Sequence, residues 1–205
     1  MQSEVCEIVS TCDIRTEALN EKGDDMGIDP SIRFGYYESM LSKGPKLDLV
    51  SVCTPNNCHC EHTVGALESG AHVLCEKPLA LTYADAKEMM DLAASKGLTL
   101  TVGSHYRWSD AIRAAKAQAD AGFFGEIYAV RTVWHRRSGI PGFGSWFTRK
   151  DLAGGGSLLD IGIHALDRAL FLMGYPQPVT VSGVTFSKLG TQGLGLGGWG
   201  ADIQK

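Results

Sequence analysis

No stretch of this 205-residue chain stays apolar for the length that a bilayer crossing needs. Its start, Met1-Gln2-Ser3-Glu4, lacks the basic region and apolar stretch of a signal peptide. Basic residues never gather: the formal net charge is -4 and the 20% of charged residues are scattered, which excludes the usual electrostatic footprint of a nucleic-acid or membrane-surface binder. Internal repeats are absent. A disulfide framework is also missing. Of six cysteines, Cys6, Cys12, Cys53 and Cys75 lie in apolar runs and read as buried free thiols. The stretch Cys58-His59-Cys60-Glu61-His62 has ligand-type residues, but they are too crowded for zinc spacing and no second cluster completes a set, so no metal is expected. With 44% hydrophobic residues the composition is that of a globular protein, long enough for one large domain or two small ones. A cytoplasmic location is expected, unless an export signal has been lost upstream.

The pattern from Val5 to Val102 alternates. Apolar runs at Val5–Cys12, Ile32–Tyr36, Leu47–Thr54, His72–Cys75 and Leu98–Val102 predict strands. Helical segments are predicted at Thr16–Lys22, Glu38–Lys43, His62–Ser69 and Thr82–Lys96, the last with Thr82 as N-cap, Asp85 three residues on and Gly97 as stop. Such alternation indicates a parallel α/β sheet. From Gly125 the rhythm changes: a long strand over Glu126–Arg136, a Gly/Pro/aromatic loop over Ser138–Phe147, a helix over Gly156–Met173 and a strand over Pro178–Leu189. Two domains are therefore expected, 1–121 and 122–205, the second of α+β type. The tail from Gly190 to Gly200, with six glycines in eleven residues, reads as a loop whose following strand has been cut away.

Four places are candidates for chemistry. Asp13 ends a strand, where a dinucleotide-binding fold keeps the acid that hydrogen-bonds the adenosine ribose; its charge favours NAD over a 2′-phosphorylated cofactor, Arg15 tempers that preference, and the alternative is an ordinary turn. No Gly-x-Gly-x-x-Gly turn precedes Asp13, so either the fold is different or its first strand and glycine turn are missing. Thr54-Pro55-Asn56-Asn57 follows a strand at the carboxyl edge of the sheet, where open α/β folds bind ligands. Pro55 would shape the loop while Thr54 and Asn57 offer polar groups, or the segment is simple turn chemistry. Glu76-Lys77-Pro78 again ends a strand, placing a lysine above the sheet. Gly154-Gly155-Gly156 leads to Asp160 and His164, four apart and so on one helical face that Asp167 continues; the histidine can exchange a proton near neutral pH.

The ordered set Thr54-Pro55-Asn56-x-x-His59, Glu76-Lys77-Pro78 and Gly154-Gly155-Gly156 to Asp160-x-x-x-His164 resembles the glucose–fructose oxidoreductase and inositol dehydrogenase (Gfo/Idh/MocA) family, over essentially the whole chain. The resemblance implies a Rossmann domain and a C-terminal domain with an open mixed sheet that serves in homo-oligomer contacts, here truncated at both ends. It implies NAD, with NADP possible, and a sugar, inositol or related polyol as substrate. Lys77, Asp160 and His164 take the catalytic roles; Asp13, Thr54, Pro55, Asn57, His59, Glu76, Lys77 and His105 are assigned to the cofactor, and Arg107, Trp146, Asp160 and His164 to the substrate. The segment Val102 to Trp108 resembles one near the nicotinamide in which the family often has asparagine where this chain has His105. Relatives that cleave glycosides with the same cofactor, or that only bind and regulate, are the alternatives to a dehydrogenase.

Overall fold

The computed structural model describes residues 5–136 and 139–188, together with Gln192. It divides into two compact units, Met1–Thr54 with Cys58–Val102, and Pro55–Asn57 with Gly103–Lys205.

The first unit alternates as the sequence predicts: β1 (Thr11–Cys12), α1 (Thr16–Asp25), β2 (Arg33–Phe34), α2 (Tyr37–Lys43), β3 (Leu49–Val52), α3 (His59–Glu68), β4 (His72–Cys75), α4 (Tyr83–Ser95) and β5 (Leu100–Val102). All pairings are parallel. The strands form two sheets, β1-β2 and β3-β4-β5. In the doubly wound order the strand joining these halves is the fold's first, and none of the described residues forms it. On β3 Leu49 and Ser51 are exposed and Val52 is buried. β1 is two residues long and pairs with β2.

The core lies where β4 is covered by α3 and α4. Leu67, Val73, Cys75 and Met89 are fully buried there, closed by Val52, Ala66 and Ala93. Burial of each large apolar side chain is worth roughly 1.5–3 kcal/mol, so this half of the unit is its anchor. Local signals agree: the Thr82 hydroxyl accepts the Asp85 N–H at 3.1 Å, and Gly70 and Gly97, at φ +90 and +65, stop α3 and α4 in the left-handed region.

The second unit holds α5 (Asp110–Asp120), α6 (Lys150–Ala153) and α7 (Ile163–Leu172), α5 packing on α7. The helix α5, which the sequence reading did not predict, is alanine-rich and turns Ile112, Ala115 and Ala119 inward at helical spacing. Two predicted strands, over Glu126–Arg136 and Pro178–Leu189, are not formed by their described residues. Neither finds a ladder partner, and Tyr128, Val179 and Val181 are about nine-tenths exposed. The open mixed sheet expected to serve in oligomer contacts is therefore not built among the described residues. Leu189 and the glycine-rich tail, except Gln192, lie outside them. Among the described residues no helix is long and apolar enough to cross a membrane.

Candidate functional site

Parallel strands bring their carboxyl ends to one edge; in the sheet β3-β4-β5 that edge carries Thr54, Glu76 and Lys77, and Asp13 stands at the carboxyl end of β1 in the other sheet. Asp13 follows β1. Its carboxylate accepts the Arg15 backbone N–H at 2.8 Å and faces the Arg15 guanidinium at 3.5 Å, remaining partly exposed. Thr54 follows β3, its hydroxyl 3.1 Å from His62 Nδ1. Beyond β4, Glu76 donates its backbone N–H to the Val52 carbonyl at 2.9 Å, and its carboxylate accepts the Lys77 N–H at 3.2 Å. Lys77 is half-buried and joined to Pro78 by a cis peptide bond.

His59 has a different task from the cofactor contact expected of it. The ring is wholly buried, with Nδ1 2.7 Å from the Pro78 carbonyl oxygen and Nε2 3.0 Å from that of Thr54. It ties the main chains at the ends of β3 and β4 to one another. The turn between Thr54 and α3 belongs to the other unit. There Asn57 is exposed, Pro55 is half-buried, and Asn56, which the sequence did not single out, is buried and donates from Nδ2 to the Ala153 carbonyl at 2.9 Å.

In the second unit the helix expected over Gly156–Met173 is not regular. Leu158–Gly162 forms a π-helical turn that carries Asp160, and α7 begins only at Ile163. Such widened turns recur at functional sites. His164, 4% exposed, stands edge-on to the rings of His105 (4.9 Å between centroids) and Tyr106 (4.8 Å). Tyr106 in turn meets Trp134 edge-on at 5.2 Å, and the Arg168 guanidinium lies over Tyr106 and Trp134. Tyr106 falls in the segment Val102 to Trp108, and Trp134 and Arg168 were not singled out in the sequence; their convergence on His164 is three-dimensional.

Arg107, expected at the substrate, is engaged within the unit. Its Nε donates to Asp167 at 2.8 Å and an NH2 donates to the second carboxylate oxygen, while the guanidinium lies over Phe171 and Tyr175. The carboxylate pushes the Arg107 pKa up. Asp167, which continues the face of Asp160 and His164 in sequence, is held in this pair. Trp146 is half-buried on a 3-10 turn, stacked on Phe147 at 3.7 Å.

All six cysteines are free, but only Cys75 is buried. Cys6 and Cys53 are exposed because the strands expected around them stop short. Burial pushes the Cys75 thiol up to about 11. Among the described residues no three His, Cys, Asp or Glu side chains gather as for a metal. The carboxyl edge fits a dinucleotide in its donor set: an acid for ribose hydroxyls at Asp13, a hydroxyl at Thr54 and an ammonium at Lys77.

The chain is similar to known proteins over most of its length. Residues 1–104 match the oxidoreductase family with NAD-binding Rossmann fold, and residues 112–194 the GFO/IDH/MocA C-terminal domain. D-glucoside 3-dehydrogenase of Escherichia coli (strain K12) is 43% identical over 191 residues, 91% of this chain and 52% of that protein. Levoglucosan dehydrogenase of Pseudarthrobacter phenanthrenivorans is 32% identical over 167 residues, 77% of this chain and 42% of the relative. The crystal structure of aldose-aldose oxidoreductase from Caulobacter crescentus, complexed with glycerol, superposes with a TM-score of 0.68 at 31% identity, over 82% of this chain and 50% of that one. A levoglucosan dehydrogenase with NADH and levoglucosan gives 0.69 at 30% identity, over 82% and 45%. The chain spans about half the length of the curated relatives it matches.

Proposed function

The chain belongs to the Gfo/Idh/MocA oxidoreductase family, and from that premise we propose that the protein oxidises a secondary alcohol of a sugar, inositol or related polyol, with NAD as hydride acceptor. The observation that carries this reading is His164: an imidazole nine-tenths buried, set just beyond a widened helical turn that bears Asp160. A histidine so placed is a proton acceptor held in fixed orientation, which dehydrogenation of an alcohol requires. The nicotinamide supplies the hydride-accepting carbon when bound. His164 takes the hydroxyl proton as the carbinol C–H bond breaks and the carbonyl forms. Asp160 accepts a hydrogen bond from a substrate hydroxyl. Lys77 directs its ammonium toward the oxygen on which negative charge develops. Asp13 favours NAD, because its carboxylate repels a 2′-phosphate, and Arg15 at 3.5 Å weakens that discrimination without removing it. The named substrates of relatives (a D-glucoside, levoglucosan, scyllo-inositol) support a cyclic polyol.

The test is reduction of NAD over a panel of glucosides, anhydrosugars and inositols, with His164→Ala as control. The variant is expected to lose turnover by at least about a hundredfold while keeping cofactor affinity. Undiminished turnover sinks the assignment.

A further inference from the structure

The Cys-His-Cys-Glu-His stretch has the look of a ligand cluster, yet its two histidines point to work inside the fold. His59 holds the main chain of Thr54, as described. His62, three residues on and so one turn further along α3, reaches the same residue from the side-chain end, with Nδ1 3.1 Å from the Thr54 hydroxyl. The imidazole cannot swing away freely. The Tyr37 ring of α2 packs on it at 4.5 Å between centroids. Tyr37 is itself fixed, its hydroxyl donating to Glu61 at 3.1 Å and its ring lying where a side chain at Gly65 would clash, 2.8 Å from that position's Cβ direction.

We propose that His62 is a positioning residue for the cofactor site: the Thr54 hydroxyl donates its proton to Nδ1, so that its oxygen faces outward only as an acceptor for an N–H or O–H of the dinucleotide. This rests on the reading of Thr54 as a cofactor contact. A threonine hydroxyl on its own rotates and offers either polarity; the imidazole behind it removes that choice. The arrangement holds while the ring is neutral. The groups facing His62 are Tyr37 and Glu38 on α2 and His59 and Glu61 on α3. Burial holds the His62 pKa down, His59 adds to this, and Glu61 and Glu38 oppose it. On acidification Nδ1 gains a proton and becomes a donor to Thr54, whose own proton then turns outward toward the ligand donor, and binding weakens.

Two measurements test this on the same chain. The first needs no cofactor. Nitrogen-detected NMR follows His62 through its titration in the wild type and in Thr54→Val. Loss of the hydroxyl donor removes support for the neutral ring and is expected to move the His62 midpoint upward by about half a pH unit. An unchanged midpoint overturns the pairing. The second is fluorescence titration with NADH at about pH 7.5 and about pH 5.5. The wild type is expected to bind about fivefold more weakly at the lower pH, and His62→Leu to lose about fivefold at the higher pH and to be insensitive to pH. His62→Gln, which keeps an acceptor that does not titrate, restores affinity relative to His62→Leu without restoring the acid sensitivity, an outcome that a purely structural role does not give. Equal affinity of His62→Leu and wild type at both pH values overturns the proposal. Absence of NADH binding by the wild type, with the NMR midpoint still moving, overturns the cofactor reading of Thr54 and the positioning role with it, and leaves the His62–Thr54 hydrogen bond standing.

Discussion

Replacement of His59 by phenylalanine isolates the clamp at the carboxyl edge. The two rings are similar in shape, so the fully buried pocket is kept, but phenylalanine offers no N–H to the carbonyls of Thr54 and Pro78, 3.0 and 2.7 Å from the native nitrogens. A buried acceptor left without a donor costs about 1–3 kcal/mol. A neutral imidazole carries a single N–H, so one of these two carbonyls loses its donor, and the more apolar replacement offsets part of the loss; His59→Phe is expected to destabilise the first unit by about 1–2 kcal/mol. Against a typical total of about 5–15 kcal/mol this is a sizeable share. With an m-value of about 1–3 kcal/mol per molar urea, the midpoint falls by about 0.5–1 M. The assay is urea unfolding followed by far-ultraviolet circular dichroism, with His59→Gln alongside. Glutamine carries an NH2 that replaces the single lost donor and is expected to recover most of the loss. A midpoint for His59→Phe equal to the wild type refutes the reasoning, since it means the two carbonyls do not depend on the ring.

Arg107→Ala strands the Asp167 carboxylate, which is only 12% exposed, and is expected to cost about 1–3 kcal/mol, discounted because a third of Arg107 is in contact with solvent. Its thermal midpoint falls while the KM for polyol stays within about twofold; an unchanged midpoint with a raised KM restores Arg107 to the substrate. Thiol labelling under native conditions reaches Cys53 and Cys6 first, and Cys75, buried and with its thiol pushed up to about 11, reacts only on unfolding. Early labelling of Cys75 contradicts its placement in the core. Asp13→Ser removes the charge that repels a 2′-phosphate and is expected to shift the NADP-to-NAD preference by about tenfold toward NADP. An unmoved ratio detaches Asp13 from the ribose.

The first unit was readable because local signals and global packing agree there. Thr82, Gly70 and Gly97 mark their helices by chemistry that does not depend on distant residues, and His72–Cys75 is a short apolar run whose Val73 and Cys75 are buried on one face. Strand lengths were overestimated: Val5–Ser10 has strand-forming residues, but the strand is confined to Thr11–Cys12. The strands expected over Glu126–Arg136 and Pro178–Leu189 are not formed by their described residues, since β-propensity is expressed only within a ladder. Site residues separate along similar lines. Lys77, Asp160 and His164 are proposed from motif order, whereas the pairing of Arg107 with Asp167, sixty positions away, has no sign in the sequence. The burial of His59 and the grouping of Tyr106, Trp134 and Arg168 around His164 depend on packing that no periodicity reveals.

Hydride transfer from carbon is tested most directly by isotope tracing. The protein is incubated with NAD and a cyclic polyol deuterated at its carbinol carbons, and the reduced nicotinamide is examined by mass spectrometry. Deuterium is expected at the nicotinamide ring in amounts matching the ketone formed, in the wild type and not in His164→Ala. Ketone without label in the nicotinamide, or equal transfer by the His164→Ala variant, would contradict the assignment of this chain's chemistry.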